Sequence, residues 1–283
     1  MKLVLDCLPC LLRQTLSAAR KAGADRALQT ELAQATAGIL AECQPDELSA
    51  PELCSRIHAM VRSACGSADP YAADKAAEIK MAQELLPALI DARPVGQEAL
   101  AYAVRLAAVG NLIDAAVYEH VSADMFDAEL DRPFAIDRTE FLSAELEKAE
   151  SVLIIGDNAG EAVFDTALLR LLQGKRVYYA VRGVPVLNDV TKADAREAGI
   201  DSYAEIVSSG CATPGCLIDA CSESFRKLFY EADVVIAKGQ GNFEALSEAD
   251  RRVFLLLKAK CASIASHLGV PAGSFVLTTS AGF

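Results

Sequence analysis

The chain lacks the patterns that mark proteins bound to nucleic acid or to membranes. Its formal net charge is -12 and no basic cluster stands out, which argues against nucleic acid or an anionic membrane as the main partner. No apolar run approaches the roughly 20 residues of a membrane-spanning helix. Asp6 and Pro9 interrupt the short apolar stretch at the start, so this stretch does not have the pattern of a signal peptide. We therefore expect a cytoplasmic protein.

Histidine is also scarce, and cysteine is present in an odd number. The three histidines are His58, His120 and His267. None stands beside another candidate ligand, so a zinc site built on histidine is not expected. The nine cysteines do not suit a disulfide scaffold, because a chain of 283 residues, 52% of them hydrophobic, can bury a large core without cross-links. We expect mostly free thiols.

Two groups of cysteines have regular spacing. Cys7-Leu-Pro-Cys10 has the spacing of redox and zinc motifs, but it opens a helical region instead of following a strand. A structural zinc site would also need a second pair of ligands. The other group is Cys211, Cys216 and Cys221. We interpret both groups as buried or incidental thiols, and a specific role for the first pair stays open.

Two different patterns divide the chain near residue 147. Before it, helix-forming residues recur with helical spacing at 8–22, 30–43, 51–64, 72–90 and 98–108. After it, short apolar runs typical of buried strands occur at 152–155, 177–181, 204–208, 234–237 and 275–278. Helical stretches separate these runs, at 163–172, 190–198 and 244–258. This alternation predicts an α/β fold with a mainly parallel sheet flanked by helices. We predict an all-helical domain over residues 1–147 and an α/β domain over residues 148–283.

Polar turns that contain glycine follow three of the predicted strands, at 156–161, 182–189 and 238–244. In open α/β sheets, ligands bind beyond the carboxyl ends of the strands. We expect Asp157, Asn158 and Asp189 to meet there and to hold one divalent cation, because oxygen donors suit Mg²⁺ or Mn²⁺. Lys238 would place a positive charge against a phosphate. Taken alone, the first turn equally fits a helix cap, and the third fits a solvated loop.

Known nucleotide-binding loops are not present, and the helical half has one notable polar cluster. The turn at 156–160 lacks the spacing of a dinucleotide-binding motif, and the turn at 238–241 lacks that of a nucleotide-triphosphatase loop. The polar cluster contains Asn111 and Asp114, which are three residues apart and would share one helical face. A helix break with an N-cap is the simpler interpretation of this cluster.

The chain resembles the damage-control phosphatase family, long catalogued as a domain of unknown function. The motifs that carry the resemblance are, in order, Cys7-x₂-Cys10-x₃-Gln14, Asp69-Pro70-Tyr71-x₃-Lys75, Gly110-Asn111-x-Ile113-Asp114, Gly156-Asp157-Asn158-Ala159-Gly160-Glu161, Asn188-Asp189 and Lys238-Gly239-Gln240-Gly241-Asn242-Phe243-Glu244. The first resembles the stand-alone, mostly prokaryotic branch. Ile79 is a departure, since the family usually has Asn there.

The resemblance implies a helical domain joined to a Rossmann-like domain, with metal-dependent phosphatase activity on small phosphorylated metabolites. Sugar phosphates and damaged cofactor precursors are the substrate classes it implies. It assigns the metal to Asp157, Asn158 and Asp189, and it places Lys238 against the substrate phosphate. The resemblance leaves the choice among Mn²⁺, Mg²⁺, Co²⁺ and Ni²⁺ open.

The remaining roles follow from a phosphatase reaction. We expect either Asp157 or Glu161 to act as the base for water, or Asp157 to attack phosphorus directly. The residues expected to bind substrate are Asn111, Asp114, Arg182, Lys238, Asn242 and Glu244. The alternatives are a carboxylate methyltransferase that uses S-adenosylmethionine and a non-catalytic protein that binds a metal or a metabolite. The first is disfavoured because no glycine-rich adenosine pocket is evident. The oligomeric state stays open.

Overall fold

The computed structural model describes residues 1–44, 48–91, 94, 98–112 and 123–281. The helices are α1 (Cys7–Lys21), α2 (Arg26–Glu42), α3 (Ala50–Cys65), α4 (Ala72–Asp91), α5 (Glu98–Val109), α6 (Ala123–Leu130), α7 (Thr139–Lys148), α8 (Ala159–Leu169), α9 (Lys192–Glu197), α10 (Glu223–Glu231), α11 (Gly239–Leu246) and α12 (Ala262–Leu268). The strands are β1 (Ser151–Ile155), β2 (Arg176–Val181), β3 (Glu205–Ser208), β4 (Val234–Lys238), β5 (Phe254–Lys258) and β6 (Phe275–Thr279). None of the described helices is both long and apolar enough to cross a membrane.

The strands form one mixed sheet in the order β3-β2-β1-β4-β5-β6. Every neighbouring pair is parallel except β5 and β6, which are antiparallel. The central strands β1 and β4 are buried along their whole length, which explains why they are continuous apolar runs instead of alternating ones. The prediction of a mainly parallel sheet flanked by helices and preceded by a helical region is confirmed.

One predicted element is wrong. Residues 244–258 were expected to form a helix, but α11 ends at Leu246 and Phe254–Lys258 is strand β5. Leucine favours helices, yet a short apolar run does not by itself distinguish a buried helix from a buried strand. Pairing with β4 on one side and β6 on the other decides the outcome. The carboxyl end of β5 therefore lies at the same sheet edge as the ends of β1, β2 and β4.

The core divides into layers around the sheet. Alternate residues of β1 face opposite sides: Ile154 belongs to a large cluster with α4, α5 and α8, and Ile155 belongs to a second cluster with α10, α11 and α12. Helices α1–α3 contribute most of two smaller clusters of their own. The predicted division after residue 147 falls one residue before the end of α7. It stays a prediction, since α4 and α5 share a core with the sheet.

Candidate metal and phosphate site

The turns after β1 and β2 are joined by backbone hydrogen bonds. Val190 N donates to Asp157 O at 2.8 Å, and Ala159 N donates to Asn188 O at 2.9 Å, so that Asn158 and Asp189 form an isolated antiparallel bridge. Asp157, Asn158 and Asp189 are 8%, 8% and 3% exposed. All three line one cavity of about 940 Å³. The structure thus brings together the three residues predicted to bind a metal.

Glu161 holds Asn158 in a defined orientation. Asn158 Nδ2 donates to Glu161 Oε1 at 2.7 Å, and Asn158 makes no side-chain cap for α8 although it occupies the cap position. Because its amide nitrogen is engaged, Asn158 keeps its carbonyl oxygen for another partner. The same Glu161 oxygen also accepts from the Asn111 amide. Glu161 is 1% exposed and is not among the residues that line the cavity, so this geometry supports an orienting role for it.

Lys238 lies behind the cavity. Its Nζ donates to Asp165 Oδ1 at 2.6 Å and to Glu161 Oε2 at 3.4 Å, and the side chain is 1% exposed. Asp165 also accepts from Tyr179 OH at 2.7 Å. This geometry does not support the prediction that Lys238 faces the substrate phosphate, because the carboxylates of Glu161 and Asp165 on α8 surround its ammonium.

Sequence reasoning missed Asp165. It lies four residues after Glu161 on helix α8, which is buried along its whole length and is mostly apolar. Residues separated by four positions share a helix face, so the pair of acids was a signal that a cation lies against α8. Lys238, at the end of β4, is that cation.

Arg182 and Asn242 also support the site from behind. Arg182 Nε donates to Asp189 Oδ2 at 2.6 Å, and Arg182 Nη2 donates to Asn242 Oδ1 at 3.3 Å. Asn242 Nδ2 in turn donates to Lys238 O at 2.6 Å and to Gly156 O at 3.1 Å. Neither side chain lines the cavity. Both side chains thus fix the strand ends and Asp189, and their contact with substrate stays a prediction.

The other predicted substrate residues have separate outcomes. Asn111 lies in a short 3-10 segment, Gly110–Leu112, and its Oδ1 is buried with no partner among the described residues. Asp114 lies outside the described residues. Glu244 does line the cavity and accepts from Gln240 Nε2 at 3.0 Å. Asn111 thus contacts Glu161 behind the cavity, and Glu244 of α11 lies on the cavity wall.

Helix α4 contributes to the cavity in a way that explains the departure at Ile79. Ile79 is fully buried, whereas Glu78 and Tyr71 line the cavity. Lys75, the basic residue of the same motif, pairs with Asp69 at 2.6 Å and Asp194 at 2.7 Å. The motif therefore forms a turn and an ion pair between α4 and α9, and position 79 serves the core.

Burial and charge together favour a cation at this site. Burial, followed by the negative charge of Asp189, raises the pKa of Asp157 to about 6. Burial also raises the pKa of Asp189 against the effect of Arg182. Two neighbouring buried carboxylates and an amide oxygen are hard donors that suit Mg²⁺ or Mn²⁺. No group of three His, Cys, Asp or Glu side chains suited to a metal occurs in the described ranges, which is consistent with a donor set completed by Asn158.

The backbone at Gly239 lies very close to the carboxylate of Asp157. Gly239 has φ +83°, and a Cβ added there would lie 2.6 Å from Asp157 Oδ1 and closer still to Oδ2. Glycine is required both by this φ and by the close approach. The first residue of α11 therefore meets Asp157 directly, and the residues present fit a divalent cation held between the ends of β1 and β2.

Lys260 is a cavity residue that the sequence prediction missed. It lies two residues beyond the end of β5 and lines the cavity. Burial raises the pKa values of both Asp157 and Glu161, and the positive charge of Lys260 partly opposes each rise. A strand predicted at Phe254–Lys258 would have placed Lys260 at the ligand-binding edge, so the missed strand and the missed residue have one cause.

The cysteines are all free, as predicted. Cys211, Cys216 and Cys221 are buried, and the sulfurs of the last two are 3.4 Å apart. Cys7 and Cys10 line the cavity, and burial raises the pKa of the Cys7 thiol. A raised pKa keeps the Cys7 thiol in its protonated form near neutral pH.

Comparison with known proteins shows the family of this chain. Residues 3–276 match the damage-control phosphatase ARMT1-like domain. A damage-control phosphatase from Pyrococcus horikoshii is 33% identical over 285 residues, which cover 98% of this chain and 97% of the relative. Another from Archaeoglobus fulgidus is 32% identical, with 98% of both chains covered. The crystal structure of a DUF89 family protein from Pyrococcus horikoshii matches with a TM-score of 0.91 at 32% identity, over 99% of both chains. The chain belongs to the damage-control phosphatase family.

Proposed function

We propose that this protein is a metal-dependent phosphomonoesterase that acts on small phosphorylated metabolites. Membership of the damage-control phosphatase family supports a phosphatase role. The observation that carries the finer proposal is the convergence of Asp157, Asn158 and Asp189 on one cavity at the carboxyl ends of the strands. That position is where α/β proteins bind their ligands.

Asp157, Asn158 and Asp189 would hold one divalent cation. Their hard oxygen donors favour Mg²⁺ or Mn²⁺, with Co²⁺ and Ni²⁺ as the alternatives. When bound, such a cation supplies positive charge that stabilises the oxygens of a transferring phosphoryl group. The surrounding residues fix the donors: Glu161 orients the amide of Asn158, and Arg182 orients Asp189.

Lys260 is the basic residue that we assign to the phosphate in place of Lys238. It lines the cavity and acts electrostatically on Asp157, whereas Lys238 is enclosed by Asp165 and Glu161. Positive charge directed at the phosphoryl oxygens stabilises the charge of the transition state. Lys238 then contributes indirectly, because it holds Glu161 and through it Asn158.

Asp157 is the carboxylate placed to take part in the chemical step. Of the two candidate bases, Asp157 lines the cavity and Glu161 does not. Asp157 would accept a proton from the attacking water, or attack phosphorus itself to form an aspartyl phosphate that water then hydrolyses. Either route breaks the ester P–O bond and releases an alcohol and inorganic phosphate.

The size of the cavity suits a metabolite larger than phosphate. Ligand pockets usually enclose about 300–1,000 Å³, and this cavity of about 940 Å³ is near the upper end. Glu244, Gln240 and Tyr71 supply polar groups on its walls. These groups would hydrogen-bond the hydroxyls of a sugar or of another polar leaving group.

The experiment is a phosphate-release assay over a panel of sugar phosphates and nucleotides with Mg²⁺, Mn²⁺, Co²⁺ or Ni²⁺ added separately. We expect release by the wild type only when a metal is present. Asp157→Asn keeps the shape of the side chain and should lower the rate about 100-fold or more. Asp201→Asn, at an exposed position, is the matched control. Undiminished release by Asp157→Asn would refute the proposal, and failure of the wild type across the panel would favour the non-catalytic alternative.

A further inference from the structure

The loop that carries Asp189 contains an unusual backbone conformation at Leu187. Of the residues that the structure describes, Leu187 is the only one other than glycine with a positive φ, at +48°. A branched apolar side chain is disfavoured in this left-handed region, and such conformations persist only where the surrounding structure enforces them. The enforcing contacts should therefore lie close to Leu187.

Those contacts come from the N-terminal helices. The Leu187 side chain packs against two apolar clusters, one built around Leu53 and Ile57 and the other around Leu32 and Val61. These clusters are formed mainly by α1–α3. Leu187 also lines the cavity, so it lies between the helices and the candidate metal site. Burial of its side chain in the clusters offsets the unfavourable backbone conformation.

Two polar contacts attach the same loop to the helical half. Arg62 of α3 donates from Nη1 to Pro185 O at 2.7 Å. Asn188 Nδ2 donates to both carboxylate oxygens of Glu78 on α4, at 3.2 and 3.3 Å. Glu78 is 1% exposed. The segment from Pro185 to Asn188 thus touches α3 and α4 immediately before Asp189.

We propose that Leu187 is a positioning residue for Asp189, through which the N-terminal helices set the affinity of the site for a divalent cation. This role rests on the proposed function, because it requires Asp189 to be a metal ligand. Residues that support metal ligands typically change metal affinity about 10–100-fold when they are replaced. The loop can hold Asp189 in place only while the Leu187 side chain stays packed against α1–α3.

The test is Mn²⁺ binding, followed by the electron paramagnetic resonance signal of the free ion, with wild type, Leu187→Asn and Leu187→Met. Asparagine tolerates the left-handed conformation but removes the apolar contact, whereas methionine keeps an unbranched apolar side chain. We expect Leu187→Asn to weaken Mn²⁺ binding about tenfold, with phosphate release restored at saturating Mn²⁺. Leu187→Met should bind nearly as the wild type does.

Two further variants separate positioning from loss of stability. Leu142→Ala removes a fully buried side chain from the large cluster around the sheet, against which Leu187 does not pack, and should destabilise the fold without changing Mn²⁺ affinity. Arg62→Ala removes the hydrogen bond to Pro185 O and should weaken Mn²⁺ binding even if Leu187→Asn does not fold. Unchanged affinity in both loop variants, or an equal loss in Leu142→Ala, overturns the positioning role alone. A wild type that binds no Mn²⁺ overturns the proposed function, and this role with it.

Discussion

Replacing Gly239 with alanine should damage the site through a single added methyl group. Glycine at φ +83° tolerates a conformation that costs other residues roughly 1–2 kcal/mol. The new Cβ would lie 2.6 Å from Asp157 Oδ1. It would lie closer still to Oδ2. Since non-bonded carbon contacts are optimal at about 3.5–4.0 Å, the carboxylate must move by at least roughly 1 Å. A displacement of that size typically costs about 100-fold in rate, equivalent to about 3 kcal/mol of transition-state stabilisation.

The matched control for this prediction is Gly269→Ala. Gly269 has φ +68°, and an added Cβ would meet nothing within 4 Å. Both variants should therefore be destabilised by the positive φ, observed as a fall in Tm of about 2–4 °C for each kcal/mol. Only Gly239→Ala should lose kcat/KM for phosphate release and affinity for Mn²⁺. Wild-type kinetics in Gly239→Ala, or an equal kinetic loss in Gly269→Ala, would refute the reasoning.

Two other predictions concern a charge in the cavity and a buried histidine. Lys260→Ala should lower kcat/KM about 10–100-fold and weaken inhibition by inorganic phosphate. Lys2→Ala, a control that also lines the cavity, should change neither. Unchanged phosphate inhibition in Lys260→Ala would contradict the assignment of Lys260 to the phosphate. Burial, followed by the charge of Arg62, lowers the pKa of His58 from 6.5 to about 4. As the pH falls below 6.5 the unfolded chain binds a proton that the folded chain does not, so about 3 kcal/mol of stability is lost on approach to pH 4. Urea unfolding at about pH 7 and pH 4.5 should show a smaller loss in His58→Leu than in the wild type, and equal losses would contradict this account.

The sequence predicted the elements that its local patterns determine. The apolar runs of β1, β2 and β4 are bounded by polar turns, and each is a strand close to the predicted limits. Because parallel strands end at one sheet edge, the meeting of Asp157 and Asp189 followed from the topology alone. The helix predicted over 244–258 failed since the choice between helix and strand for β5 depends on pairing with β4 and β6, which local composition does not encode.

Whether each side chain faces the cavity or points into the protein interior was the less predictable part of the site. Lys238 was placed at the correct strand end, but its enclosure by Asp165 depends on how α8 packs across the sheet. Arg182 likewise follows β2 as expected, yet it turns inward to Asp189. Such choices follow from the mutual satisfaction of buried charges, and motif spacing carries no information about them. The conformation of Leu187 is set by contacts with residues more than a hundred positions earlier in the chain.

The most direct test of the central claim is a calorimetric titration of Mn²⁺ into the wild type and into Asp189→Asn, combined with phosphate release by the same samples. If Asp157, Asn158 and Asp189 hold the cation, the wild type should bind a single ion per chain at this site. Asp189→Asn should lose that binding event and the phosphate release together while keeping the unfolding temperature of a folded protein. Binding of Mn²⁺ by Asp189→Asn with wild-type affinity, or phosphate release by the wild type after complete removal of metal with a chelator, would contradict the account.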